Sequence, residues 1–308
     1  MRVVQIYNQQ RSSGGGEEKV VMQTTAWLRE RGVETDLLLR SSRGIENSFL
    51  KKVQAAVTGI YNPEAYRFMR AYLARHRPSI VHAHNLYPQW SAAVLAAGRD
   101  AGIATLFTVH CQVLTCPTWY HLHKNRVCEK CCLSGEHWCI LQNCRQNIVE
   151  SAVYALRHFI VRKRGLFRDN VTIFIAPSKF MRGKLLAAGF SADQVRVIWN
   201  AVAIPEQPAD PKNGGYVAFA GRLSPEKGVG TVLAAARTLP DVQFQIAGGG
   251  PLEQDLVRQA PANVRFVGFL DRDGLARFYR GARLHVVPSV SYEAFPLSAA
   301  EAMAPASR

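Results

Sequence analysis

The stretch Arg2-Val-Val-Gln-Ile-Tyr7 is followed by a glycine run, Gly14-Gly-Gly-Glu-Glu18, then by Lys19 to Arg31, and then by Thr35-Asp-Leu-Leu-Leu39. The first piece is β-branched and aromatic, as a buried strand requires. In the third, Val20, Val21, Ala26, Trp27 and Leu28 fall near helical spacing, and Gly32 supplies a stop. The whole reads strand, glycine loop, helix, strand: a βαβ unit.

The alternation continues outward from this unit. Ile80-Val-His-Ala83, Thr105-Leu-Phe-Thr-Val109, Thr172-Ile-Phe-Ile-Ala176 and Val195-Arg-Val-Ile-Trp199 predict further strands, with helical segments such as Gln89 to Ala101 between them. Ile204 to Gly215 is rich in Pro and Gly and poor in apolar residues, which predicts a linker. After it the pattern restarts. Strands are expected at 216–220, 242–247, 264–266 and 284–287, and helices at 228–238, 251–259 and 272–280. The expectation is an α/β chain with a first domain over 1–203, a linker over 204–215 and a second domain over 216–308.

Composition narrows the function classes. Hydrophobic residues make up 48% of the 308, enough for packed cores. No apolar run reaches about 18 residues, and Met1 to Gln9 lacks a cleavage pattern, so neither a transmembrane helix nor a signal peptide is expected and the cytoplasm is the predicted location. The formal charge of +15 favours anionic partners. Basic residues are dense from Arg145 to Lys184, which predicts either a solvated basic face or peripheral contact with anionic membrane at its inner face. No nucleic-acid-binding motif is present, so no specific nucleic acid is expected.

Three features of the second half carry chemistry. Gly221-Arg222-Leu-Ser-Pro-Glu226-Lys227-Gly228 follows a strand and opens a helix, where free N–H groups and two cations suit a phosphate. Ala247-Gly248-Gly249-Gly250-Pro251 lies at a second strand-to-helix turn, where glycine lets a backbone approach a ligand. Glu293 and Glu301 flank the helix start at Pro296, and carboxylates accept hydrogen bonds from sugar hydroxyls.

The order Gly-Arg-Leu-x-x-Glu-Lys-Gly, Gly-x-Gly-Pro and Glu-x7-Glu resembles the second domain of the retaining GT-B glycosyltransferases of family four (group 1). Ile80-Val-His-Ala-His84, Thr108-Val-His110, Ala176-Pro-Ser178 and Asn200 extend the resemblance through the first half. It implies a GT-B fold, with two Rossmann-like domains facing a cleft. It also implies transfer of a sugar from a nucleoside-diphosphate sugar to a glycan or lipid-linked acceptor, with retention. Arg222 and Lys227 would bind the diphosphate, Glu301 the ribose, and Glu293 would face the donor sugar. Gly15, Gly16 and Gly249 would let backbone close on the donor, and His110 would lie near the transferred sugar. The protein's own cations would replace any catalytic metal. Two residues depart from the pattern: Ala294 where the family has Gly, and Cys111 where it often has Asp or Asn. The family's second domain also continues beyond Glu-x7-Glu-Ala-Met-Ala, so the ending at Arg308 leads us to expect an incomplete second domain with impaired turnover.

All seven cysteines lie between Cys111 and Cys144. Cys128-x2-Cys131, with Cys116 and Cys144 nearby, has metal-ligand spacing and predicts structural zinc on those four; an iron–sulfur site or thiol pairs are the alternatives. A nucleotide-dependent oxidoreductase or epimerase is the rival enzyme class. It is weakened by the absence of Gly-x-Gly-x-x-Gly after the first strand.

Overall fold

The computed structural model describes residues 1–9, 15–43, 49–203 and 210–304, with 49–53 as backbone only. Gly14, residues 204–209 of the expected linker and the last four residues lie outside the described residues. The chain divides into two compact units. One holds residues 1–121 and 128–199; the other holds 200–308 and the short segment 122–127. The second unit thus begins at Asn200, where the sequence reading ended the first domain at residue 203.

Up to the second unit the chain runs β1 (Arg2–Gln9), α1 (Gly16–Glu30), β2 (Glu34–Ser41), α2 (Phe49–Thr58), α3 (Pro63–His76), β3 (Ile80–Ala83), α4 (Ala93–Asp100) and β4 (Ala104–Thr108). It continues through the hairpin β5 (Leu122–His123) and β6 (Arg126–Val127), then α5 (Lys130–Ser134), α6 (His137–Leu141), α7 (Ile148–Lys163), β7 (Ile173–Ala176), α8 (Lys179–Ala187) and β8 (Val195–Val197). Six strands form one parallel sheet in the order β2-β1-β3-β4-β7-β8. Val3 to Asn8 of β1 are all buried, as a strand covered on both faces must be. Helix starts are set locally. Asn62 accepts from the backbone N–H groups of Glu64 and Ala65 with Pro63 in the first turn, and Ser178 caps α8 through the Met181 N–H.

The second unit runs β9 (Tyr216–Ala220), α9 (Val229–Thr238), β10 (Phe244–Ala247), α10 (Glu253–Gln259), β11 (Val264–Gly268), α11 (Arg272–Arg280), β12 (Ala282–His285) and α12 (Leu297–Met303). Its sheet is parallel, in the order β11-β10-β9-β12. Period-2 alternation along β9 sorts the core into two layers. Phe219 packs with Leu223, Val232, Leu233 and Ile246 on one face, and Ala218 and Ala220 pack with Phe278 and Tyr279 on the other. Burying side chains of this size contributes about 1.5–3 kcal/mol each before the entropy cost of folding is counted.

Both sheets reverse direction at one place. The chain steps from β1 to β2 on one side and returns to β3 on the other. Likewise it steps from β9 through β10 to β11, then returns to β12 on the far side of β9. Open α/β sheets hold ligands at such switch points, outside the carboxyl ends of the strands. Among the described residues no helix is long and apolar enough to cross a membrane.

Candidate functional site

The second unit's switch point lies between β9 and β12, and the polar residues singled out in the sequence gather there. The turn after β9 carries Arg222 and Lys227; the loop after β12 carries Glu293. Lys227 Nζ donates to Glu293 Oε1 at 2.7 Å, and the Ser289 hydroxyl donates to the same oxygen. Backbone contact ties the two segments together, since the Val290 N–H donates to the Glu226 carbonyl at 3.0 Å. Gly228 permits this approach. Its φ is +65°, and a Cβ there would lie 2.1 Å from the Pro288 carbonyl oxygen. Ser224 Oγ donates to Glu226 Oε1 at 2.6 Å, which holds Glu226 inside its own turn.

The turn after β10 closes on the same place. The Leu223 N–H donates to the Gly249 carbonyl at 2.9 Å, and the Gly221 N–H to the Ala247 carbonyl at 3.0 Å. The residues that must be glycine here are Gly248 and Gly250 rather than Gly249; a Cβ on Gly250 would lie 2.5 Å from the Leu223 carbonyl oxygen. Gly248 has φ +123° and no room for a Cβ, which would sit 2.0 Å from the Gly221 carbonyl oxygen. Glu301, on α12, accepts from the Tyr279 hydroxyl at 3.3 Å. Arg222 is exposed and forms no ion pair among the described residues, while Ala294 is buried. The arrangement offers one unpaired guanidinium and one ammonium that shares a carboxylate. The Lys227–Glu293 pair is half-exposed and so worth at most about 1 kcal/mol.

The first unit holds a second cluster, at the carboxyl ends of β1, β3 and β4. His110 Nε2 lies 2.9 Å from His84 Nδ1, and His84 Nε2 lies 3.0 Å from Gln5 Oε1. With the Gln5 carbonyl facing it, His84 carries its proton on Nε2 and accepts at Nδ1. His110 therefore donates from Nε2 and keeps Nδ1 as an acceptor. His82 Nε2 is 2.8 Å from the Thr108 hydroxyl, and its ring lies 4.2 Å from that of His84. Burial pushes His82 down to about 4 and His110 to about 3 and lowers His84 as well, and neighbouring imidazoles lower His84 and His110 further, so all three are neutral at pH 7. Sequence reasoning selected His110 alone. The signal for its partner was present: His82 and His84, two apart on a strand, share one face of the sheet.

A small cavity beside this cluster is lined by Glu17, Asn85, Thr108, His110, Cys111 and Trp119, among others. Gly15 precedes α1 as its N-cap, in extended backbone with no side-chain cap, and Gly16 opens the helix. Burial pushes the Glu17 carboxyl up to about 8, against a hydrogen bond with the Asn85 backbone. At neutral pH the entrance of α1 thus carries less negative charge than its two glutamates suggest.

The cysteine segment is fixed by a buried carboxylate. Glu136 Oε1 lies 2.9 Å from His158 Nδ1, and Arg162 donates to both carboxylate oxygens at 2.7 and 2.9 Å. Burial alone would raise Glu136; these bonds overcome it and hold the carboxyl at about 2. All seven cysteines are free thiols. Burial, together with neighbouring Cys116, Cys144 and Cys128, pushes the Cys131 thiol up to about 12. As placed, the described His, Cys, Asp and Glu side chains include no group of three or more that could hold a metal ion. Cys116, Cys128, Cys131 and Cys144 are thus neighbours without being a formed ligand set.

Residues 14–204 match the family model described as Glycosyltransferase Family 4, and residues 202–305 match that of Glycosyl transferases group 1. A D-inositol 3-phosphate glycosyltransferase of Mycobacterium leprae is 42% identical over 104 residues, which cover 30% of this chain and 24% of that protein. A phosphatidyl-myo-inositol mannosyltransferase of Mycobacterium tuberculosis is 37% identical over 102 residues, covering 30% and 27%. The matched part thus spans about a quarter of those relatives. Among solved structures, Anabaena HepE in complex with UDP and glucose superposes with a TM-score of 0.60 at 16% identity, covering 99% of this chain and 78% of that one. The lipopolysaccharide outer core galactosyltransferase WaaB does so with a TM-score of 0.56 at 17% identity and the same coverage. At these identities the likeness is one of fold: α/β, of GT-B type, with Rossmann-like units.

Proposed function

The chain belongs to glycosyltransferase family 4, and on that premise we propose that it moves a sugar from a nucleoside-diphosphate sugar to a glycan or lipid-linked acceptor, with retention of configuration. The observation that carries the reading is the 2.7 Å contact between Lys227 and Glu293. A diphosphate and the sugar bonded to it are adjacent groups, so their recognition needs an adjacent cation and carboxylate. Lys227 and Arg222 receive the diphosphate, Glu293 turns to the sugar hydroxyls, and Glu301 takes the ribose. The nucleoside diphosphate, doubly negative within the donor, takes the electron pair of the glycosidic bond as it leaves and gains a further negative charge. Two cations and the N–H groups at the start of α9 stabilise the charge that develops, with no catalytic metal in that role. For the first unit the reading keeps Gly15 and Gly16 as donor-binding residues and His110 as a catalytic one. Neutral His110 offers a hydrogen bond to a hydroxyl without adding charge beside the donor.

The reading includes one structural zinc on Cys116, Cys128, Cys131 and Cys144. It is supported by the Cys-x2-Cys spacing and by the neighbours that raise Cys131. Four thiolates repel one another and coexist only around a cation, so zinc would have to draw the side chains into a ligand set they do not form unaided. Zinc would anchor the segment that follows His110.

The test is a screen of the full chain against nucleotide sugars, read as nucleoside-diphosphate release. Release from one donor, lost in Lys227→Ala, is expected. A folded protein that neither binds nor hydrolyses any nucleotide sugar would overturn the proposal.

A further inference from the structure

Helix α7 has an outer face that water alone does not suit. Its inner face is buried through Ser151, Ala155, Arg157, His158 and Val161, and is pinned by the Glu136 bonds to His158 and Arg162. Successive residues advance by about 100°, so Ile148, Val149, Ala152, Leu156, Phe159 and Ile160 share the opposite side, in an arc roughly 140° wide that also takes in Val153. Ile148 is 54% exposed, Val149 68%, Leu156 56% and Phe159 45%. No charged residue falls on this arc until Lys163, at its last turn. Lys163 is flanked by Arg162 on one side and Arg164 on the other, and all three are exposed. Lys163 and Arg164 pair with no carboxylate among the described residues. Exposed apolar side chains scattered singly are ordinary; an uninterrupted stripe over four turns is not.

We infer that this face of α7 docks in the interfacial layer of an anionic lipid membrane, with the apolar stripe among the upper acyl chains and Lys163 and Arg164 at the phosphates. The pattern is that of a helix lying in the plane of the membrane: one apolar face, a basic boundary, and no acidic residue on the stripe. Long basic side chains at the edge of such a stripe keep their charge at the headgroup level while their stems lie along apolar surface. Charge selects this occupant over a second copy of the chain. Each copy carries +15, and a dimer through this face would gather like charge, whereas anionic headgroups supply the opposite sign. The inference does not rest on the transferase reading, because it uses no residue of the donor site.

Flotation of the full chain with vesicles of phosphatidylcholine, with and without phosphatidylglycerol, tests it. The chain should float with the anionic vesicles only. The double variant Leu156→Asp/Phe159→Asp should lose at least tenfold in vesicle affinity, with its thermal melt and its nucleoside-diphosphate binding unchanged, since both side chains are exposed. Lys163→Glu/Arg164→Glu should lose a similar factor, and added salt should weaken the wild type. The inference is overturned if the wild type does not float with anionic vesicles, or if the Leu156/Phe159 variant floats as well as the wild type. It is also overturned if light scattering shows a dimer that the same variant makes monomeric.

Discussion

Lys227 and Glu293, 66 residues apart in sequence, meet at 2.7 Å because β12 pairs with β9 on the side away from β10. The lysine is thus already positioned, and its partner can be displaced. Lys227→Ala should weaken nucleoside-diphosphate binding at least tenfold, the equivalent of a lost charge-assisted contact at roughly 1.5–3 kcal/mol. Glu293→Gln should act differently. It frees the ammonium, so diphosphate affinity should hold or rise while sugar transfer falls. Calorimetry with UDP and GDP separates the two variants, and equal loss in both would reject the division of roles.

Gly228 sets the geometry of that contact. Gly228→Ala should destabilise the protein by about 1–2 kcal/mol from the left-handed backbone alone. The Cβ at 2.1 Å from the Pro288 carbonyl oxygen adds to this and pushes the two loops apart. Gly230→Ala, two residues on, is the control. Its Cβ meets nothing within 4 Å, and in a helix alanine should stabilise by roughly 0.5–1 kcal/mol. Urea unfolding should give opposite signs for the two variants, and only the first should lose diphosphate affinity.

The cysteine segment makes a separate expectation. Protein purified without chelator should hold about one zinc, by the four-thiolate rule, and Cys128→Ser or Cys131→Ser should release it. Elemental analysis with thiol titration decides. Less than a tenth of an equivalent, with every thiol freely reactive, would remove zinc from the reading.

What the sequence revealed follows from how local each feature is. The strand and helix alternation was legible because each element declares its own period, as Ile80 to Ala83 and Arg272 to Arg280 do. The β5–β6 hairpin and helices α5 and α6 were not. They are two to five residues long, and long-range bonds such as Glu136 to Arg162 hold that segment. The polar residues of the donor site were legible as motifs, but their pairing was not, because spacing along the chain cannot say which side of β9 receives β12. The glycine run after β10 was visible, yet only the backbone shows that Gly248 and Gly250 are the positions where a side chain would strike main chain. Glu17 lay in the glycine run, ahead of the helix expected from Lys19; only the fold places it in the first turn of α1 and supplies the burial that changes its charge.

That change gives a pH signature. The folded Glu17 carboxyl, pushed up to about 8 chiefly by burial, holds its proton more tightly than the unfolded one, with its ordinary value of 4.5. Between those values the folded state binds more protons. The contribution of this group to stability is therefore fully present below about 4.5, declines as pH rises through that window, and is gone above about 8. The slope from this one group is at most about 1.4 kcal/mol per pH unit. It will be smaller in practice, because Glu17 is only half-buried by surface area and water reaches part of it. The titratable neighbours Tyr7 and Cys111 are both pushed upward and stay neutral through this range, so they do not cancel the effect. Glu17→Gln keeps the size of the side chain and removes the proton. The variant should match the wild type near pH 4.5, then become progressively more stable than it up to pH 8 and keep that margin above. Urea unfolding of both proteins at intervals across this range measures the difference, and other groups drop out of the comparison. A constant difference at every pH would mean that Glu17 is charged in the folded protein, and that the entrance of α1 carries the negative charge its sequence first suggested.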